Sequence, residues 1–399
     1  MDIQAFLRAD GRKGIRNVVA IAYLVECAHH VSREIAHPYR DVGAHLIGFP
    51  GCFTNAYSFK MMERLCTHPN VGAVLLVSLG CEGFNKGKLL ETIRASGRPA
   101  KLLVIQESGG TRSTIVEGQA WVRQTLDQLQ NTPRTTMPID ELIVGTICGG
   151  SDATSGLTAN PAMGRAFDFL VEKNATCIFE ETGELIGMEH WMARRAQHPA
   201  LGNEIVKIVA KAAKYYATYG HASIGPGNAD GGLTTIEEKS LGAYAKSGQS
   251  VISGIIKPGD TPVAGGLYLL DVVPDGEPRF GFPNISDNAE IAELIACGCH
   301  LTLFSTGRGS VVGSALAPVI KVCANPDTYR RMTDDMDVDA GRILEGRATL
   351  DDVGREIYDL ILRVANGEKT KSEALGHQEF ILTYKSFEPL GPACFPSAA

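Results

Sequence analysis

The chain has 399 residues, of which 44% are apolar and 21% are charged, and it contains 44 glycines and 19 prolines. These proportions are typical of a globular protein and exclude a disordered tail, a collagen-like fibre or a coiled coil. At roughly 150 residues per domain, the length predicts two or three hydrophobic cores. The net charge of -7 provides no overall attraction to nucleic acid or to an anionic membrane, so neither is expected as a partner.

The N-terminal segment, MDIQAFLRADGRKGIRN, carries charges throughout and lacks the apolar stretch of a signal peptide. No apolar run approaches the ~18 residues that a membrane helix requires. The chain is therefore expected in the cytoplasm, where its 10 cysteines should be reduced. Each cysteine is then a small buried residue, a metal ligand or a reactive group, and burial is the default interpretation.

Apolar runs alternate with amphipathic stretches in the first third of the chain. The runs 18–25, 45–49, 73–79 and 102–105 predict buried strands, and 27–37, 57–67, 86–96 and 113–130 predict helices. Strands that are buried on both faces and separated by helices are typical of a parallel sheet, so we predict a Rossmann-like α/β domain over residues 1–135. The segment 131–139, which contains proline and threonine, predicts the boundary.

A second, larger α/β domain is predicted over residues 140–399. Its expected strands are 141–147, 176–180, 251–256, 267–273, 301–305 and 319–323, and its expected helices are 162–174, 186–195, 202–218, 236–247, 287–297, 325–333 and 351–366. Across both domains, several strands run directly into glycine-rich loops, at 79–83, 107–111, 147–156 and 305–310. Ligands of open α/β sheets bind at the carboxyl ends of strands, so these loops are candidate substrate loops.

The loop CGGSDATSG begins at Cys148 and leads into a helix that Asn160 is placed to cap. Its backbone N–H groups and hydroxyls are suited to a carboxylate or a phosphate. A tight turn with a buried cysteine accounts for the same residues equally well. The loop lacks the Gly-Lys-Ser/Thr of a phosphate-binding loop and the spacing of a dinucleotide fingerprint, which disfavours nucleotide binding.

Acidic residues are crowded between 180 and 190, in EETGELIGMEH. Such crowding is unfavourable unless cations or protons relieve it. A divalent metal site and a solvated helix start would both do so, and the solvated helix start is the simpler interpretation. Elsewhere, Cys81 precedes Glu82 at the tip of an apolar strand, where a thiolate and a carboxylate are a plausible pair of metal ligands.

Three basic residues are candidates for binding or catalysis. Lys239 lies one turn inside a helix whose start has capping-box spacing, and it is interpreted as a base, a carboxylate anchor or a surface lysine. Arg308 in STGRGS could bind a carboxylate with two hydrogen bonds. Arg16 in GRKGIRN belongs either to a site or to a solvent-facing basic turn.

Seven sequence blocks occur in the order seen in the altronate/galactarate dehydratase family, which also includes the large subunit of sulfolactate sulfo-lyase. They are GRKGIRN (11–17), SLGCE (78–82), CGGSDATSGLTANPAMG (148–164), EETGELIGMEH (180–190), GNADGGLTTIEEKSLG (227–242), STGRGS (305–310) and DMDVDAGRIL (335–344). From residue 8 to residue 345 the chain thus resembles the large catalytic unit of this family.

The resemblance implies a lyase that removes water from a sugar acid or a related small 2-hydroxy acid to give a 2-keto-3-deoxy acid. One alternative is a carbon–sulfur lyase that releases sulfite from sulfolactate to give pyruvate. Another is a non-catalytic large subunit or binding protein that needs a small partner subunit. The family also implies a divalent metal, with Fe²⁺ as the first choice and Mn²⁺ or Mg²⁺ as alternatives.

On this resemblance, each candidate residue is given a role. Elimination beside a carboxylate needs the negative charge neutralised, a base for the proton and help for the leaving group. Lys239 or His190 is assigned to proton abstraction, and Arg308 with the loop 148–155 to binding of the substrate carboxylate. The metal ligands are drawn from Cys52, Cys81, Cys148 and Glu181. The substrate-binding candidates are Arg16, Asn17, Ser151, Asp152, Ser155, Asn160, Asn228, Thr234, Thr235 and Thr306.

The sequence departs from the family pattern in two respects. Sugar-acid members carry a small antifreeze-like domain, fused or as a separate subunit, whereas this sequence starts at the large unit; a small partner subunit or independent action is therefore expected. Many sugar-acid members resemble His-Gly-Cys-Gly-Gln where this chain reads FPGCFTN (49–55), and they tend to have proline where Gly183 stands. These differences favour a smaller or differently substituted hydroxy acid. A homo-oligomer is also expected.

Overall fold

Two parallel sheets dominate the structure, a computed structural model that describes residues 2–218, 224–275, 286–382 and 385. In chain order the strands are β1 (Ile3–Leu7), β2 (Lys13–Gly14), β3 (Val18–Tyr23), β4 (Ala44–Gly48), β5 (Val71–Ser78), β6 (Ala100–Val104), β7 (Arg134–Met137), β8 (Ile143–Cys148), β9 (Thr176–Phe179), β10 (Ile252–Ile256), β11 (Gly266–Leu270), β12 (Leu301–Thr306), β13 (Val319–Cys323) and β14 (Val338–Asp339). The predicted α/β fold class is confirmed. The structure contains parallel sheets of four and seven strands, and helices occur between their strands along the chain.

The helices that cover these sheets match most of the predicted amphipathic stretches. They are α1 (His29–Ala36), α2 (Ala56–Cys66), α3 (Lys86–Ala95), α4 (Thr111–Leu129), α5 (Ala159–Val171), α6 (Glu189–Arg194), α7 (Pro199–Thr218), α8 (Pro226–Asp230), α9 (Ile236–Ala245), α10 (Asp287–Ala296), α11 (Pro326–Arg331), α12 (Leu350–Ala365) and α13 (Lys371–Leu375). None of the described helices is both long and apolar enough to cross a membrane.

The four-stranded sheet has the order β4-β3-β5-β6, and all its neighbouring strands are parallel. All eight residues of β5 are buried, which explains why its sequence is a continuous apolar run rather than an alternating one. On one face the sheet packs against α1 and α4 through residues such as Ile35 and Val122. On the other face it packs against α2 and α3.

The seven-stranded sheet has the order β10-β11-β9-β8-β12-β13-β14. After β8 the chain continues to β9 on one side, whereas β12 pairs with β8 on the other side, and both pairings are parallel. The loops that follow β8 and β12 therefore leave the sheet at the point where the strand order reverses. In open α/β sheets this is where ligands bind.

The two parallel sheets share one apolar core. Ala20 and Leu76 of the smaller sheet belong to the same buried cluster as Ile147 and Phe304 of the larger sheet. Polar contacts join the same two parts, since the Tyr57 hydroxyl on α2 donates to Glu293 on α10 at 2.5 Å. The loops at the ends of the two sheets are consequently held in a fixed relation by packing.

A small antiparallel sheet, ordered β2-β1-β7, was not predicted. Its strand β7 lies within the segment 131–139 that the sequence indicated as a boundary, and it pairs with β1 so that Ile3 faces Met137. Little in the sequence indicated these strands, because β1 and β7 are short. Each is stabilised by pairing with the other, which is distant in the sequence.

A charged contact fixes the turn after β1, and it supports a prediction about stability. The Asp10 carboxylate accepts hydrogen bonds from Arg12 at 2.7 Å and from Arg98 at 2.8 Å. Burial raises the pKa of Asp10, but these two hydrogen bonds outweigh it and lower the pKa to about 2. Because this pKa lies below that of an unfolded aspartate, the contact stabilises the fold above about pH 4 and is lost as the pH falls through about 2.

We expect Asp10→Asn to lower the free energy of unfolding at pH 7 by about 1 kcal/mol, a value reduced for solvent screening of a partly exposed group. The difference from the parent should shrink as the pH falls from about 5 towards 2. Urea denaturation at several pH values measures it. Asp127→Asn, on the exposed face of α4, is the control. An equal effect of both substitutions would contradict a specific role for Asp10.

Candidate active site

Glycine-rich loops meet at the carboxyl edge of the seven-stranded sheet, as the sequence predicted. The backbone N–H groups of Gly307 and Arg308 both donate to the carbonyl of Gly150, at 3.0 and 2.9 Å. This close approach requires glycine, because a Cβ on Gly307 would lie 2.1 Å from a carboxylate oxygen of Asp152. The loops after β8 and β12 thus form one surface at the reversal of strand order.

Cys148, the last residue of β8, lies at the centre of a buried polar group. Its Sγ lies 3.2 Å from Glu181 Oε1 and 3.1 Å from Glu184 Oε2, and its backbone N–H donates to Glu181 Oε2 at 3.0 Å. The three residues are only 3%, 6% and 8% exposed. A solvated helix start is therefore the wrong interpretation of this part of the acidic segment, which lies in the protein interior.

Two lysines neutralise these carboxylates. Lys239 forms an ion pair with Glu184, and Lys246 forms one with Glu181 while lying 4.0 Å from Glu184 Oε2. Both lysines are buried, so the interpretation of Lys239 as a surface residue is wrong. We call Cys148, Glu181, Glu184, Lys239 and Lys246 the Cys148 cluster.

Helix α9 and the residue that caps its C-terminus, Lys246, bring both lysines to the cluster. Thr235 caps the helix by accepting a hydrogen bond from the backbone N–H of Glu238 at 3.2 Å, so Lys239 falls one turn inside. Lys246 follows seven residues later, about two turns on, and therefore shares the same face. Gly242 lets the helix approach the loop, since a Cβ there would lie 3.1 Å from Gly156 Cα.

Burial and mutual charge perturb the titration of the cluster. Burial, and then the charge of Glu184, raise the pKa of Glu181 to about 7 despite the opposing effect of Lys246. Burial lowers the pKa of Lys239, but the charges of Glu184 and Cys148 outweigh it, so the pKa lies above its ordinary value. Lys239 therefore holds its proton in this structure, and the prediction of a resting lysine base needs correction.

The backbone at Glu181 is unusual as well. Its φ of 73° lies in the left-handed region, which residues other than glycine rarely adopt and which is found at functional sites. Two residues on, a Cβ at Gly183 would lie 2.0 Å from the ring of Tyr216. Glycine at position 183 therefore leaves room for this ring.

The cluster fits a divalent transition metal ion. Ligand atoms of Cys148, Glu181 and Glu184 all lie within 4.8 Å of one another. A donor set that mixes sulfur with oxygen suits a transition ion such as Fe²⁺ better than it suits Mg²⁺. Burial, and then the two carboxylates, raise the pKa of the Cys148 thiol well above its ordinary value, but a coordinating ion would deprotonate it.

Four of the predicted substrate-binding residues surround the cluster. Ser151 Oγ donates to Cys148 Sγ at 3.5 Å, and Asn160 Nδ2 donates to the Gly242 carbonyl at 3.0 Å. Together with Asp152 and Ser155 they line a cavity that also contacts Lys239 and Glu184, with a volume of 10 Å³. This is room for about one water molecule and less than a hydroxy acid occupies.

The remaining candidates on these loops form hydrogen bonds that join the loops to one another, and we call this part of the site the rim. Arg308 donates to the carbonyl of Gly227 at 2.5 Å, Asn228 donates to the carbonyl of Ser151 at 3.2 Å, and Thr306 donates to the carbonyl of Gly150 at 3.2 Å. At the start of α9, the Thr234 hydroxyl donates to the Glu238 carboxylate, and the Thr235 hydroxyl accepts from the Glu238 backbone N–H. These two threonines therefore support the helix that carries Lys239.

Several predicted residues are not brought to the cluster. His190 is exposed on α6, and the contacts of the described residues do not join it to the Cys148 cluster. Cys52 and Cys81 are exposed in loops after β4 and β5 of the other parallel sheet. The two loops touch, because Gly83 N donates to the Cys52 carbonyl at 2.8 Å. The structure therefore does not combine these cysteines with Cys148 in one set of ligands.

Arg16 and Asn17 also lie elsewhere. Arg16 forms an ion pair with Glu373 at 2.7 Å, and Asn17 accepts from Arg8 at 2.6 Å and donates to the Leu129 carbonyl at 2.9 Å. Both residues line a separate cavity of 610 Å³. The prediction that Arg16 and Asn17 bind substrate together with the loop at Cys148 is therefore corrected. Their contacts favour a structural role, in which they join segments that are distant in the sequence.

Burial is the correct interpretation for most of the other cysteines. Cys66, Cys177, Cys297, Cys299 and Cys323 are buried, whereas Cys27 is exposed. Cys394 lies outside the described residues.

Glu184 and Lys246 were missed from the sequence. Glu184 stands in the acidic segment, but nothing local distinguishes it from its neighbours. The spacing of Lys246 from Lys239 on one predicted helix was the signal that could have indicated a second buried lysine.

Comparison with known proteins gives a consistent assignment. The family described as "D-galactarate/Altronate dehydratase, C-terminal" matches residues 139–387, and "D-galactarate dehydratase/Altronate hydrolase, second domain" matches residues 5–130. Over 397 residues, the chain is 33% identical to the (2R)-sulfolactate sulfo-lyase subunit beta of Chromohalobacter salexigens, covering 95% of this chain and 96% of the relative.

Two further relatives come from Escherichia coli. The chain is 31% identical over 392 residues to galactarate dehydratase (L-threo-forming), covering 92% of this chain and 73% of the relative. It is 29% identical over 398 residues to altronate dehydratase, covering 96% of this chain and 77% of the relative. These matches confirm the family that the seven sequence blocks predicted. The chain therefore belongs to the D-galactarate/altronate dehydratase family and is a lyase of the dehydratase type.

Proposed function

We propose that this lyase eliminates water from a sugar acid or a related small 2-hydroxy acid and releases a 2-keto-3-deoxy acid. The observation that carries the proposal is the Cys148 cluster, in which ionisable groups are buried beside the glycine loops at the reversal of strand order. Burial makes such groups effective in charge stabilisation and proton transfer. The names of the relatives indicate acids of the altronate and galactarate type.

The side chains of the site suit the steps of this elimination. Arg308 lies on the exposed rim, and its guanidinium has further N–H donors with which to bind the substrate carboxylate. Lys239 carries a proton at Nζ that it can give to the departing hydroxyl oxygen. Burial raises the pKa of Glu184, but Lys239 and Lys246 outweigh it and lower the pKa. Glu184 therefore remains a carboxylate that can accept the proton from carbon 2.

Cys148 and Glu181 are the residues that we propose would hold a divalent ion. Fe²⁺ is proposed ahead of Mn²⁺ or Mg²⁺ because one of the donors is sulfur. Such an ion supplies Lewis-acid polarisation of the carboxylate and hydroxyl oxygens of the substrate. The two lysines of the cluster and Arg308 provide the remaining positive charge that an anionic substrate needs in a chain with a net charge of -7.

A second candidate function is the release of sulfite from sulfolactate to give pyruvate. The observation that favours it is the relative named (2R)-sulfolactate sulfo-lyase subunit beta, which matches over 96% of its length. The two reactions require similar groups, because both remove a proton beside a carboxylate and expel a group from the adjacent carbon. That name also supports our proposal that a small partner subunit acts with this chain.

The test combines metal analysis with a substrate screen. The chain is purified anaerobically, its bound metals are measured, and altronate, galactarate, sulfolactate and shorter 2-hydroxy acids are assayed for 2-keto acid and for sulfite. We expect a near-stoichiometric transition metal and a 2-keto-3-deoxy product without sulfite. Sulfite release would replace the first function by the second. A protein that binds an acid but neither holds metal nor consumes the acid would contradict both.

Replacing Arg308 with methionine tests the carboxylate anchor. We expect KM to rise by about tenfold to hundredfold, with a smaller change in kcat, because a hydrogen bond to a charged group contributes roughly 1.5–3 kcal/mol. Arg123→Met, on the exposed face of α4, is the control and should leave KM unchanged. Steady-state kinetics on the acid found in the screen measure both. A KM within threefold of the parent would remove Arg308 from substrate binding.

A further inference from the structure

A second group of buried carboxylates lies beside the Cys148 cluster and shares Glu181 with it; its other two members, Glu180 and Glu290, have no role in the chemistry described above. Glu180, Glu181 and Glu290 each place an oxygen within 4.8 Å of the other two. Glu180 directly follows β9, and Glu290 lies in the first turns of α10. The residues are 2%, 6% and 4% exposed, so water does not screen their repulsion.

The carboxylate of Glu180 is buried, and among the described residues neither of its oxygens finds a hydrogen-bond partner. A buried carboxylate without a partner is strongly unfavourable, and native proteins resolve such cases with an ion, a proton or an ordered water. Glu180 therefore points to a ligand in the space that it shares with Glu181 and Glu290.

The charges around Glu180 favour a cation as that ligand. Four carboxylates, those of Glu180, Glu181, Glu184 and Glu290, lie in the two adjoining groups. Within the described part of the chain, the lysines that form ion pairs with them are Lys239 and Lys246. The next buried ammonium group, that of Lys385, pairs instead with Glu293 at 2.7 Å. When the Cys148 thiolate and the divalent ion of the proposed function are also counted, four carboxylates and one thiolate face two ammonium groups and one divalent ion. The two groups together therefore stay net negative, which favours a cation as the further ligand.

The geometry and the donor type narrow the choice of cation. Carboxylate oxygens on opposite sides of an ion lie about 4–5 Å apart when each metal–oxygen distance is about 2.0–2.6 Å, as for Mg²⁺ and Ca²⁺. The ligand oxygens of this group lie within 4.8 Å of one another, close enough for one ion to contact all three. All three donors are oxygen, which suits a hard cation rather than a sulfur-seeking one.

We propose that Glu180, Glu181 and Glu290 form a second cation site, for a hard divalent ion such as Mg²⁺, Mn²⁺ or Ca²⁺. It differs from the ion of the proposed function, which uses the sulfur of Cys148, and Glu181 is the one residue that both groups share. An ion here would contact the carboxylate of Glu181 and so fix its position beside Cys148. Glu180 and Glu290 are thus positioning residues for the active site.

Manganese binding to the full-length, metal-stripped chain tests the proposal. We expect equilibrium dialysis under anaerobic conditions to give about two Mn²⁺ per chain, and electron paramagnetic resonance to show coupling between two ions bridged by a carboxylate. Glu290→Gln keeps the side-chain size and should reduce the count to about one and abolish the coupling. Cys148→Ser should leave the all-oxygen site able to bind.

Glu204→Gln, an exposed substitution on α7, is the control and should keep the parent count. Thermal denaturation gives a second readout, since Mn²⁺ should raise Tm less in Glu290→Gln than in the parent. A count of about one in the parent, or an unchanged count in Glu290→Gln, would overturn the second site. If the parent protein bound two ions but consumed no acid, only the proposed function would be contradicted. If the parent protein consumed the acid while binding one ion, only the second site would be contradicted.

Discussion

Lys239→Met should lower kcat by about 10³-fold, because positioned acid–base groups contribute roughly 10²- to 10⁴-fold. In the structure, Lys239 is buried, forms an ion pair with Glu184 and lines the small cavity beside the glycine loops. Methionine keeps much of the side-chain length but has no proton to give to the departing hydroxyl. The measurement is the steady-state rate of 2-keto acid formation from the acid identified in the screen.

Two further variants separate proton transfer from folding. Lys239→Arg keeps the positive charge beside Glu184 but is a far weaker proton donor, so it should fold like the parent and still lose most activity. Lys207→Met removes an exposed lysine on α7 and should leave kcat unchanged. If Lys239→Met retained activity within threefold of the parent, Lys239 would have no part in proton transfer.

Lys246→Met should lower the free energy of unfolding by about 3–5 kcal/mol, the usual cost of removing one partner of a buried ion pair. Lys246 and Glu181 have side chains that are only 2% and 6% exposed. Without the ammonium group, the Glu181 carboxylate keeps the backbone N–H of Cys148 but loses its charge partner. Urea denaturation of the metal-stripped protein measures the effect without a contribution from ion binding.

The double variant Glu181→Gln/Lys246→Met should recover at least half of that loss, because replacing both members of a buried pair is far less costly than removing one. Lys207→Met again serves as the control and should stay within about 0.5 kcal/mol of the parent. If Lys246→Met were as stable as the parent, or if the double variant were as unstable as the single one, the ion pair would not contribute to the fold.

The parallel sheets could be predicted because burial leaves a local trace in the sequence. Strand β5 has water on neither face, so all of its residues are buried, and the corresponding apolar run was visible. The glycine loops were visible for a related reason. Gly307 approaches Asp152 so closely that a side chain has no room, and such positions require glycine wherever the fold places them.

The short antiparallel strands and the burial of the charged residues could not be predicted in the same way. Strand β7 depends on pairing with β1, which lies near the N-terminus and is distant from β7 in the sequence. Glu184 and His190 stand six residues apart in one acidic segment, yet the first is buried against Lys239 and the second is exposed. Periodicity does not distinguish them, because charged residues of this kind occur in both environments.

The sequence by itself determined the fold class, the family and the positions of the glycine-rich loops, because each depends on residue type and local spacing. Tertiary structure alone decided which ionisable groups meet. It joined Cys148 from β8 to the segment after β9 and to α9, and it left Cys52 and Cys81 in the other sheet. The physical reason is that charge pairing acts across space between distant segments, and only packing determines which of them adjoin.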